Sequence, residues 1–99
     1  MTESTLAKTA SSQLEPLVTA VIDELEAADN AYPMAFFTQI LIRLRGTTDE
    51  EGLMQLFFEL STTAFQGFVL SATEAQRVDE LLENCEQIAL TLSVNGTTH

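Results

Sequence analysis

Apolar residues recur every three or four positions along most of this chain, and that period predicts helices rather than strands. From Ser12 onward, Leu14, Leu17, Val18, Val21, Ile22, Leu25 and Ala28 fall on one stripe of a 3.6-residue repeat. Ser12 and Glu15 have the spacing of a capping box, and Pro16 is tolerated near a helix start. The first helix is therefore expected from Ser12 or Glu15 to Ala28, with Asp29 and Asn30 ending it. Residues 1–11 carry only Leu6 as a sizeable apolar anchor beyond Met1, so they read as a lead-in that is frayed or forms a short helix.

Pro33 suits the first position of a second helix, where its missing N–H is not needed, and Gly46 suits the end of it. Thr48 and Glu51 form a capping box for a third helix, and Asp49, Glu50 and Glu51 place negative charge at the positive end of its dipole. That helix is expected to run through Phe65 and as far as Val69 or Leu70, with Gly67 as a weak point. Ser71 with Glu74, or Thr73 with Gln76, caps a fourth helix. Its stripe is Ala75, Val78, Leu81, Leu82, Cys85, Ile88, Ala89 and Leu92. Asn95 and Gly96 stop it, leaving 95–99 as a loose tail. With no strand-like alternation and short connections, residues 12–94 read as one all-α domain, a small antiparallel four-helix bundle.

The four stripes are not alike. The first and fourth helices have polar backs, whereas the second and third are apolar over most of their circumference, and all six Phe lie between positions 36 and 68. A helix that is apolar all round needs cover all round, and the simplest cover is a second copy of the chain. The expected self-association surface is Met34, Phe36, Phe37, Ile40, Leu41 and Leu44 on the second helix. On the third it is Met54 and Phe58, with Phe65 beyond them. A homodimer is the first partner expected; a bound protein, an apolar ligand, or a fold that wraps the second helix inside one chain would also provide cover.

Charge changes the picture of partners. Fifteen Asp and Glu against four Lys and Arg give a net charge of −11, which repels nucleic acid and anionic membranes and attracts basic proteins. Asp79, Glu80, Glu83 and Glu86 lie on one side of the fourth helix and are read as a solvated face or, more sharply, as a docking surface for a basic partner. Arg43 and Arg45 close the second helix. There they complement its dipole and lie near Asp49, Glu50 and Glu51, or else bridge a dimer seam. The start MTESTLAK lacks the basic and apolar regions of a secretory signal, and no apolar run is long enough to span a membrane, so a cytoplasmic location is expected.

Candidate chemistry is sparse. The only His is the last residue, His99, which removes catalytic triads, Glu-x-x-His metal pairs and histidine phosphotransfer. One cysteine, Cys85, allows no intramolecular disulfide and lies on an apolar stripe, as an inert buried thiol does. Glycines are scattered and build no phosphate loop. No catalytic, metal or cofactor residue is assigned. The function expected is that of a small acidic interaction module, acting as an adaptor, regulator or inhibitor. An acidic inhibitor or mimic that occupies a basic nucleic-acid-handling protein is the first alternative, and a carrier of an apolar small molecule is the second.

Overall fold

Helices form where the four stripes place them, but several of their ends do not. The computed structural model describes residues 5–96: α1 is Thr5–Ala27, α2 Ala31–Gly46, α3 Glu50–Ser61 and α4 Ala72–Gly96, with a 3-10 turn at Thr62–Phe65. Residues 1–4 of the expected lead-in and 97–99 of the expected tail, His99 included, lie outside the described residues, as does the side chain of Phe65. No strand occurs among the described residues.

α1 starts seven residues before Ser12 because Ala7 and Ala10 bury completely or nearly so beside Leu14. Their small side chains add little to a hydrophobic stripe, yet they let another helix approach closely, and packing extends the helix through a weak local signal. Pro16 consequently sits inside α1 rather than at its start, with its ring on the exposed side. It supplies no N–H to the carbonyl of Ser12, so the ladder lacks one bond there.

The end of α1 is a Schellman turn. Asn30 N donates to Leu25 O (2.9 Å) and Asp29 N to Glu26 O (3.1 Å), while Asp29 takes the left-handed conformation, φ 56°, usually given to glycine. α2 starts two residues before Pro33, which lies buried in its first turn. α3 is capped by Asp49, whose carboxylate accepts from Gly52 N at 2.8 Å, and not by Thr48.

α3 stops at Ser61, well short of the expected Phe65. Along the run Ser61-Thr62-Thr63, each hydroxyl donates to the carbonyl three residues before it: Phe58, Glu59 and Leu60. These local bonds compete with the helical ladder and tighten the chain into a 3-10 turn. Gly67, at φ 75°, then turns it away. The capping box of α4 forms as its spacing predicts. Ser71 N donates to Glu74 Oε1 (3.0 Å), and Glu74 N donates to Ser71 Oγ (3.1 Å). The helix continues through Asn95 and Gly96, which the sequence pattern places as its stop.

α1 packs along α2 and α4, and α3 rests on both of those and also touches α1; among the described residues α2 and α4 do not meet. The start of α1 lies beside the end of α2, where Ser11 Oγ donates to Leu44 O at 2.9 Å. The two long helices give an elongated body, 45 × 21 × 18 Å. Its core runs through Leu14, Val21, Leu25, Phe37, Leu53 and Leu81, among other fully buried side chains. No helix is long and apolar enough to cross a membrane among the described residues.

Candidate functional site

Most of α2 is covered by its own chain. Phe37, Ile40 and Leu44, expected at a dimer surface, are fully buried core residues. Met34, Phe36 and Leu41 are half-buried and packed against that core. The aromatic residues find one another within the chain. Phe68, from the loop after the 3-10 turn, makes edge contacts with Tyr32 (5.1 Å between centroids) and Phe36 (5.4 Å), and lies 6.1 Å from Phe37. The sequence pattern hid this cover because Phe68 appeared to extend the stripe of α3, whereas the turn at Gly67 brings it back over the start of α2. Ile42 and Tyr32 are the large α2 side chains left facing water.

The arginines at the end of α2 reach carboxylates on other helices. Arg45 Nε donates to Glu15 Oε2 of α1 at 2.7 Å, and Arg43 donates to Glu59 of α3. Both connect helices within one chain, and their exposure limits each to about 1 kcal/mol or less. The solvent-side carboxylates of α4 divide in the same way. Glu80 accepts from Arg77 at 3.2 Å, and the same guanidinium lies 3.9 Å from Glu24 of α1. Glu80 thus belongs to the α1 side of α4. Asp79, Glu83 and Glu86 project from the other flank, by their helical spacing, next to α3.

An open apolar face lies between α3 and α4. A groove of about 460 Å³ is walled by Met54, Phe57 and Phe58 of α3 and by Leu82, Cys85 and Ala89 of α4. Ser61 and Glu86 stand at its edge. Phe57 and Cys85 form the buried floor, while Phe58 is 75% exposed and Met54 39%. A phenylalanine placed that far into water beside an apolar trough is an apolar feature left unsatisfied by the chain's own packing. Of the residues expected to contact a partner, Met54, Phe58 and Glu86 come together here.

Leu82, Cys85 and Ala89 were assigned to the core stripe of α4 in the sequence pattern, and Cys85 does belong to it. The sign that Leu82 and Ala89 serve another surface is the stripe's width. Val78, Leu81, Cys85 and Ile88 suffice to face the core, and Leu82 with Ala89 adds a second row toward α3.

The groove has little reactive chemistry. Burial pushes the Cys85 thiol up to about 12, so it is protonated at neutral pH and is a poor nucleophile. Among the described residues, no group of three His, Cys, Asp or Glu is placed to hold a metal ion.

The buried carboxylate of the molecule is Glu74, 3% exposed, and its partners are structural: Ser71 N and the Asn30 side-chain amide, the latter at 3.2 Å. It lies at the start of α4, away from the groove. Comparison of the chain with protein-family models, with curated proteins and with solved structures finds no match.

Proposed function

We infer that the protein is a non-catalytic interaction module that binds another protein through the groove between α3 and α4. The observation that carries this reading is Phe58, held in water beside an apolar floor by a helix whose other large residues are mostly buried. Exposed aromatic residues next to well-packed apolar floors are what protein interfaces use as anchors. The trough is partly open to solvent, and Phe57 and Cys85 form its buried floor. That shape suits a helix or an extended segment better than an enclosed small molecule.

The four-helix arrangement supplies a frame for this face, since α3 and α4 each bury core residues of their own. Self-association is expected from the apolar breadth of α2 and α3 together, and Phe37, Ile40 and Leu44 of α2 are buried within the chain. Any contact with a second copy would therefore use Phe58 and Met54 rather than Phe37, Ile40 or Leu44. The acidic character of the module favours a basic partner, and a protein that handles nucleic acid is one class with that charge.

The test is site-specific photo-crosslinking in the native cell, with a benzophenone side chain at position 58 and, as a control, at the exposed Gln13 of α1. Protein adducts at 58 that are absent at 13 support the reading. A position 58 that crosslinks no protein contradicts it.

A further inference from the structure

Resting on that reading, we propose that the occupant of the α3–α4 groove is an amphipathic helix carrying Lys or Arg along its polar face, and not a second copy of this chain.

All four cationic side chains of the protein lie off the groove. Lys8 is on α1; Arg43 and Arg45 point from α2 to Glu59 and Glu15; Arg77 faces Glu24 and Glu80. The rim has acidic groups alone: Glu86 at the edge, Asp79 and Glu83 on the same flank of α4, and Glu51 one turn before Met54 at the start of α3. The arginines thus engage Glu15 and Glu24 of α1, Glu59 of α3 and Glu80 of α4, and among the described residues none of these ion pairs reaches the rim carboxylates.

A second copy would bring a net charge of −11 against −11, and an isologous contact through this face would set the two acidic rims against each other. A helix with an apolar stripe would fill the trough with its apolar side. Its basic flanks would meet Asp79, Glu83 and Glu86 on one wall and Glu51 on the other. Met54 and Phe58 are four residues apart on α3, and Leu82 and Ala89 span two turns of α4, so the groove offers about two to three turns of contact.

The probe is a synthetic Leu/Lys amphipathic helix of about 18 residues, long enough to be helical in isolation. It is compared with its Leu/Glu counterpart and with a scrambled Leu/Lys peptide that has no stripe. Binding is measured by fluorescence anisotropy at two salt concentrations.

The proposal expects the Leu/Lys helix to bind at least about tenfold more tightly than either control. Phe58→Ser should weaken it by a similar factor. The triple change Asp79→Gln, Glu83→Gln and Glu86→Gln should weaken it and flatten its salt dependence. Substitution of Glu15, Glu24 and Glu26 on α1 by Gln should leave it unchanged apart from a small loss common to all cationic peptides. Phe58 and the rim carboxylates are exposed, and circular dichroism checks that the variants remain folded.

Equal binding of the scrambled peptide, or indifference to Phe58→Ser, overturns the proposal by showing only unspecific attraction to an acidic protein. So does a Phe58-dependent dimer of the chain itself. If photo-crosslinks form at position 58 to a protein while the Leu/Lys helix is not discriminated, the interaction reading stands and this assignment of the occupant falls. If no crosslinks form, the reading itself falls.

Discussion

The side-chain amide of Asn30 donates to Glu74 Oε1 (3.2 Å) and to the carbonyl of Val69 (2.9 Å), tying the α1–α2 connection to the loop and first turn of α4. Glu74 is at the same time the reciprocal partner of Ser71 in the capping box. One asparagine between two helices thus fixes where a third begins, across 44 residues of sequence.

Replacing Asn30 by Ala removes both bonds and leaves a buried carboxylate with one donor fewer. The expected loss is about 1 to 3 kcal/mol of unfolding free energy. Asn30→Asp should cost more, because it sets a second carboxylate against Glu74. Urea denaturation of the two variants checks the order; equal stability of all three proteins would show the tie to be dispensable.

Asp29 is a stabilising substitution waiting to be made. It occupies the left-handed position of the α1 Schellman turn, and it places a negative charge at the negative end of the helix dipole. Asp29→Gly relieves both and is expected to raise stability by about 1 kcal/mol. The corresponding Asp29→Ala keeps the strain and should be no more stable than the parent. Thermal denaturation of the pair separates the backbone effect from the charge effect.

Cys85 makes stability depend on pH in a definite direction. Its folded thiol titrates at about 12, above the ordinary value of 9.0, because burial disfavours the thiolate. The unfolded chain therefore loses this proton first as pH rises. The contribution is fully present below pH 9 and is lost between pH 9 and 12, by up to about 1.4 kcal/mol per pH unit. The difference in stability between the parent and Cys85→Ala should shrink over that range and be constant below it. Thiol labelling of the folded protein gives a second reading: its rate should still be climbing with pH at 10, where an exposed cysteine would have levelled.

The stripes of all four helices could be read from the sequence because they rest on local periodicity. So could the capping box of Ser71 and Glu74, which needs only two residues at the right spacing. The start of α1 was not legible, since Ala7 and Ala10 bury without adding to a hydrophobic signal and Pro16 argues locally for a helix start. The end of α3 carried a sign in Ser61-Thr62-Thr63, but the apolar residues that follow outweighed it. A third helix running through Phe65 toward Val69 or Leu70 would carry Phe68 along its own stripe, and local spacing gives no sign that Phe68 folds back over α2.

The candidate groove was half legible. Met54 and Phe58 stood out as apolar residues too many for one face of α3. Leu82, Cys85 and Ala89 could not be assigned to the groove without knowing that α3 and α4 are neighbours. The pairing of Arg45 with Glu15 and of Arg43 with Glu59 is a tertiary fact that no local spacing contains.

That the α3–α4 face does not bind a second copy of the chain is the claim on which the functional account depends, and multi-angle light scattering of the purified chain tests it most directly. The account predicts the mass of one chain across the accessible concentration range, unchanged by Phe58→Ser. A stable dimer that Phe58→Ser dissociates would mean that the groove is already filled by a second copy, and would contradict it.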